Sequence, residues 1–297
     1  MRYTAARAAD FLRLDRKRDV FSTKTSNGRV TVIGGSSRYH GAVALASLAA
    51  LKAGAGYVVS MVPRKILVEE RAVSPNIIVV PSGISHLSFG KAAKVEIEKS
   101  NSVIIGPGAG RDPPTLSACT AAIRYACLKE KKLVIDADGL FAIGGQIPAG
   151  RVENVVLTPN DKEAQALTGK AVNAEDSSSM QKRIMDAILI ARKYNASVIL
   201  KGHRSIVTDG ARVKVITPKT AALATMGTGD VLSGILSFYL IRSASAFEAA
   251  VGAAYLHAMV GDYMAANSGE HAIASDIIDN MPATISWIKQ GMADARK

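Results

Sequence analysis

Thr225-Met226-Gly227-Thr228-Gly229-Asp230-Val231-Leu232-Ser233-Gly234 is the stretch on which the reading of this chain turns. It is a glycine-rich turn that opens an apolar helix, so unpaired backbone N–H groups and the positive end of the helix dipole face one point. A phosphoryl group in transfer spreads negative charge over its oxygens and needs such a cradle. Asp230, at the helix start, is placed to accept the proton of an attacking hydroxyl. The plainer alternative is that Asp230 only caps its helix, but a cap needs no flanking glycines beside a threonine. No lysine follows the last glycine at the P-loop position, so the turn is not a Walker loop.

Working outward, short β-rich runs alternate with helical stretches. Val30–Ile33, Tyr57–Val62, Ile77–Val80, Ser102–Ile105, Leu133–Asp136, Val155–Thr158 and Val198–Lys201 are mostly continuous apolar runs, as in strands buried on both faces. Helical patterns cover His40–Ala53, Leu87–Lys99, Pro114–Lys129 and Met180–Tyr194. The alternation predicts an α/β fold, a three-layer αβα sandwich around a mostly parallel sheet. Ser205–Thr208 and Arg212–Thr217 flank Asp209-Gly210 and predict a hairpin. Residues 1–297 read as one domain, with a polar, helical extension over residues 1–25.

Ligands of open α/β sheets bind at the carboxyl ends of the strands. Four loops there are rich in glycine or polar residues: Gly34–Ala42, Gly106–Asp112, Asp136–Gly139 and Thr158–Glu163. Each alone is only a turn; together they predict a site along one sheet edge. Pro107 and Pro113 keep Gly106–Gly110 from being a dinucleotide fingerprint.

Composition narrows the partners. Of 297 residues, 48% are hydrophobic, enough for a sizeable core. The net charge of +12 comes without a dense basic run or many aromatics, which favours small polyanions over nucleic acid. Cys119 and Cys127, about 12 Å apart on one helix, are too distant to bridge. The charged first twenty residues are no secretory signal, and Lys52 interrupts the longest apolar stretch, so a cytoplasmic protein without membrane spans is expected.

The motifs, taken in order, resemble a known family. Gly227-Thr228-Gly229-Asp230 looks like the anion hole and base of ribokinase-like kinases. Within that superfamily the chain resembles the ADP- or ATP-dependent NAD(P)H-hydrate dehydratases from about Gly28 to Trp287. The resemblance rests on Val32-Ile33-Gly34-Gly35-Ser36, Tyr39-His40-Gly41-Ala42, Lys52-Ala53-Gly54-Ala55-Gly56, Ser74-Pro75, Ile105-Gly106-Pro107-Gly108, Asp136-Ala137-Asp138, Leu157-Thr158-Pro159, Leu200-Lys201-Gly202 and Ala274-Ser275-Asp276-Ile277-Ile278.

The resemblance implies a lyase with a kinase-like first step. Hydrated NADH or NADPH is phosphorylated on the ring hydroxyl, and loss of phosphate restores the reduced cofactor. It implies that Asp230, Gly227, Thr228 and Gly229 carry catalysis. Lys201, Gly202, His203, Arg204, Ser205 and Gly229 would bind ADP or ATP; Ala42, Gly108, Asn160 and Asp230 would bind substrate. Asn160 and Glu163 share one helix face, where Glu163 would reach Mg²⁺ through water, unless the pair is a capping box. A homo-oligomer and a separate NAD(P)H-hydrate epimerase are the expected partners.

Asn160-Asp161-Lys162-Glu163 stands where the family has His-Pro-Gly-Glu, closer to the Asn-x-x-Glu of sugar kinases. That keeps open a ribokinase-like kinase of a sugar or a hydroxyethylthiazole-type alcohol. Met226 replaces a family glycine and is expected to shift the loop if its backbone must take φ > 0. His257 and Tyr255, in the apolar helix Ala246–Ala266, read as core or interface residues. Asp136 and Asp138 read equally as ligand contacts or loop caps, and His40 stays ambiguous.

Overall fold

The computed structural model describes residues 3–144, 154–169 and 180–294. Among the described residues ten strands form one sheet: β1 Thr4–Ala5, β2 Arg29–Ile33, β3 Tyr57–Val62, β4 Ile78–Pro81, β5 Ser102–Ile105, β6 Lys132–Ile135, β7 Val155–Leu157, β8 Ser197–Leu200, β9 Ser205–Thr208 and β10 Val213–Ile216. Their order is β1-β10-β9-β8-β7-β6-β5-β2-β3-β4. All neighbours run parallel except β9, which is antiparallel to both β8 and β10.

The helices are α1 Ala8–Leu12, α2 Gly41–Ala53, α3 Leu67–Val73, α4 Lys91–Lys99, α5 Pro113–Leu128, α6 Asp161–Thr168, α7 Met180–Tyr194, α8 Thr228–Arg242, α9 Ala246–Ser268 and α10 Ala274–Asp294. Strand side chains alternate between two cores. Val30, Val32, Ile104, Val134 and Ile199 pack with α2, α8, α9 and α10. Val103, Ile105, Leu133, Ile135 and Leu200 face α4, α5, α6 and α7. The three-layer sandwich read from the sequence is the observed architecture.

From β2 the chain winds outward through β3 and β4, then returns to β5 on the other side of β2. This reversal makes β2/β5 the switch point, where the loops after two neighbouring strands part and leave a crevice. Helix α8 reaches the sheet edge because it packs closely on α2. A Cβ at Gly234 would lie 2.2 Å from the Ala46 carbonyl oxygen, so only glycine permits that approach.

Two expectations need adjustment. Among its described residues the N-terminal extension is α-helical only over Ala8–Leu12, and it is docked: Thr4–Ala5 pair with β10, and the Phe11 ring is fully buried against Tyr239. The helix expected from Leu87 begins at Lys91, because the Ser82 hydroxyl binds both the amide and the carbonyl of Ser88 in a local turn. Cys119 and Cys127 are free and buried.

Candidate active site

The turn before α8 is held from within. Gly227 adopts φ +92° as the N-cap residue, and a Cβ there would meet Leu45 at 2.6 Å and Ala274 at 3.0 Å. The Thr228 hydroxyl donates to the carbonyls of Leu223 (2.9 Å) and Thr225 (3.0 Å), so its side chain ties the turn back and leaves the backbone to face the site. Met226 does not take positive φ; Gly227 carries that conformation, and the Met226 side chain is 86% exposed. The expected loop shift at Met226 therefore has no backbone cause.

Asp230 stands in the first turn of α8. Burial, then the charge of Asp136, push its carboxyl up to about 8, while Lys201 pulls the other way. Asp136, fully buried at the end of β6, organises this corner. It accepts from Lys201 Nζ (2.8 Å), the Thr158 hydroxyl (2.7 Å) and the Ser233 hydroxyl on α8 (2.7 Å). Burial alone would lower the Lys201 pKa; Asp136 and Glu163 hold it above the ordinary lysine value. A Cβ at Gly229 would lie 3.3 Å from Lys201 Nζ, so the ammonium borders the glycine turn. An acid poised near neutrality and a fixed cation thus stand beside the start of α8.

The other predicted residues fall into three groups. Gly202, His203 and Arg204 form the turn between β8 and β9, which Ser205 opens, with His203 and Arg204 exposed. Arg183 of α7 clamps that turn by donating to the carbonyls of Lys201 (2.9 Å) and Arg204 (2.7 Å) while its Nε binds Asp161 (3.1 Å). Ala42 and Gly108 meet at the switch point: a Cβ on Gly108 would touch Ala42 at 2.9 Å and the Tyr39 carbonyl oxygen at 2.3 Å.

Asn160 and Glu163 form a reciprocal capping box. The Asn160 side chain accepts from the Glu163 amide (2.9 Å), and Glu163 accepts from the Asn160 amide (2.8 Å). Glu163 also lies 3.9 Å from Lys201 Nζ. Asp138 binds Arg111 (2.7 Å) and the Gly110 amide (2.9 Å), which fixes the loop after β5.

A sequence model of the NAD(P)H-hydrate dehydratase family matches residues 30–283. The chain belongs to that family. It is 37% identical over 278 residues to the bifunctional NAD(P)H-hydrate repair enzyme Nnr of Pyrobaculum aerophilum, covering 93% of this chain and 54% of that protein. It thus spans about half the length of that bifunctional relative. It is 32% identical over 260 residues to the ADP-dependent (S)-NAD(P)H-hydrate dehydratase of Nitrosopumilus maritimus, covering 86% and 88% of the two chains. The crystal structure of the ADP/ATP-dependent NAD(P)H-hydrate dehydratase from Bacillus subtilis superposes with TM-score 0.81 at 21% identity, over 97% and 99% of the chains. That likeness is one of fold.

Two side chains that the sequence did not single out for the site donate or lie close to its backbone carbonyls. Arg183 is one charge among many on an amphipathic helix, with no local motif to mark it. His257, read as core or interface, brings Nε2 to 2.9 Å from the Thr228 carbonyl oxygen.

Proposed function

We propose that the protein dehydrates hydrated NADH or NADPH at the expense of a nucleotide, ADP by preference. The observation that carries the reading is Asp230, its carboxyl raised to about 8, beside Lys201 and the Gly227–Gly229 turn. Family membership supplies the substrate class, and the name of the Nitrosopumilus maritimus relative supplies ADP dependence.

In this reading Asp230 takes the proton of the ring hydroxyl as that oxygen attacks the terminal phosphoryl group. The amides at the start of α8 hold the phosphoryl oxygens, and the Lys201 ammonium offsets their charge. The Lys201–Ser205 turn holds the nucleotide, and the Ala42/Gly108 crevice holds the dinucleotide substrate. Elimination of phosphate then restores the reduced ring; the nucleotide supplies the phosphoryl group.

The residues present suit a Mg²⁺ carried on the nucleotide phosphates. Among the described residues no cluster of three or more His, Cys, Asp or Glu forms a cage of its own. Magnesium usually keeps several waters and binds through one or two carboxylates, a role Glu163 would fill through water beside its cap contact. The family match and the named dehydratase relatives favour this reading over the sugar-kinase alternative that Asn160–Glu163 kept open.

The deciding assay gives purified protein hydrated NADH or NADPH with ADP or ATP and follows the return of reduced-ring absorbance. Return that depends on nucleotide supports the proposal; turnover of another alcohol without it refutes it. We further propose a cytoplasmic homo-oligomer acting alongside a separate epimerase. Light scattering that finds only monomer would remove the oligomer.

A further inference from the structure

We infer that His257 is a positioning residue of the anion hole: its Nε2–H donates to the Thr228 carbonyl and thereby aims the Gly229 amide at the transferring phosphoryl group. The inference rests on the phosphoryl-transfer reading proposed above.

The Thr228 carbonyl oxygen can only accept, so at 2.9 Å the proton sits on Nε2. That oxygen belongs to the same planar peptide as the Gly229 N–H, and in a trans peptide the two point in opposite directions. Fixing the oxygen from the α9 side therefore fixes the N–H toward the opposite, open side. The other borders of that space are already known: a Cβ at Gly229 would lie 3.3 Å from Lys201 Nζ, and Asp230 is the next residue. The ammonium and the carboxyl thus stand next to the residue whose amide His257 orients.

The turn needs such a brace. Gly227 and Gly229 flank Thr228, and glycine backbones lose more freedom on ordering than any other residue. The Thr228 hydroxyl restrains the upstream side through Leu223 and Thr225. His257 restrains the downstream peptide from a separate helix, α9, whose neighbouring residues Leu256 and Ala258 are buried. Burial, aided by the Lys201 charge, drives the imidazole pKa down to about 4. The ring is therefore neutral across the working range, giving one donor and no added positive charge beside Lys201.

The test compares His257→Gln with His257→Asn. The glutamine amide nitrogen reaches the position of Nε2; that of asparagine is one bond too short. Two readouts are taken: kcat and KM for nucleotide-driven dehydration, and the backbone NMR signal of the Gly229 amide, which needs no substrate. The expected result is a kcat loss of roughly 10- to 100-fold in His257→Asn, with nucleotide KM within a few-fold and a broadened Gly229 amide. His257→Gln should recover most of the rate and a single sharp amide signal.

Equal behaviour of the two variants, whether both active, both impaired or both unfolded, would overturn the inference and leave His257 a packing residue. If wild-type protein shows no dehydration at all, the functional reading fails alone. The Gly229 signal in the two variants still decides the role of His257.

Discussion

At the level of single residues, Asp230 and Glu70 are among the carboxyl groups held against their ordinary ionisation, and they serve different ends. Asp230 borders the site, and its pKa of about 8 suits a base that must hold a proton transiently near neutral pH. The rate of dehydration should rise with pH through about 8, and Asp230→Asn should lose about 10²–10⁴-fold in kcat while nucleotide affinity stays near wild type. A wild-type rate in Asp230→Asn would discard the base assignment. The same substitution should stabilise the fold in alkali. A raised acid favours the folded state's protonated form, so stability declines from the ordinary value of 3.8 up through about 8, and the asparagine escapes that decline. Glu70 is the purer case. It is fully buried on α3, both carboxyl oxygens lack a hydrogen-bond partner, and burial lifts its pKa from 4.5 to about 7. Wild-type stability should therefore fall as pH climbs between those values, by up to about 3 kcal/mol, and Glu70→Gln should flatten the curve. Denaturant melts at pH 5 and pH 8 measure this; equal slopes in both proteins would show that Glu70 ionises in the fold as readily as in the unfolded chain.

At the level of elements, what the sequence made legible was what repeats locally. Val30–Ile33 and Ser102–Ile105 announced themselves because strands buried on both faces must be apolar at every position. The Asp209-Gly210 turn announced its hairpin because Gly210 takes φ +89° there. The strand Thr4–Ala5 was invisible, since two residues carry no periodicity and its partner β10 lies about two hundred positions away. Arg183 and His257 were hidden for the same reason: each acts on a carbonyl of a different element, and no local pattern encodes a crossing of helices. Close approach between loops is another such property, and Gly108 tests it. Its φ of +59° already disfavours a side chain, and an added Cβ would press on the Tyr39 backbone at 2.3 Å. Gly108→Ala should cost roughly 1–3 kcal/mol and raise KM for the hydrated dinucleotide more than for ADP. Gly144, with φ +66° and none of the described residues within 4 Å of an added Cβ, is the control that carries backbone strain without such a clash. If Gly144→Ala and Gly108→Ala melt alike and bind alike, the switch-point crevice is not where the dinucleotide sits.

At the level of the whole molecule, the fold gathers its loops at one sheet edge, and the charge has a bearing on what arrives there. The chain carries +12 overall. Among the exposed basic residues at that edge are Arg38 after β2, Arg64 and Lys65 after β3, Arg111 after β5 and Arg204 after β8. Arg111 is partly spoken for, since it pairs with Asp138 and stacks on the Phe141 ring at 3.6 Å. The substrates proposed here, a nucleotide and a hydrated dinucleotide, are both polyanions. A convex neutral protein would meet them at random; an edge rimmed with guanidinium groups raises their local concentration before contact. Such an effect acts over about a Debye length, near 10 Å at 0.1 M salt and 3 Å at 1 M, so salt should erase it. The chemical step lies in a buried corner where Lys201 and Asp136 are shielded, so kcat should hold. We therefore expect KM for both substrates to rise on the order of tenfold between 0.05 and 0.5 M KCl with kcat nearly constant. Reversing Arg64 and Lys65 to glutamate should remove most of that salt dependence without touching kcat. A kcat that falls in parallel with affinity would mean that salt reaches the reacting groups themselves, and the separation between a steering rim and a shielded centre would have to be given up.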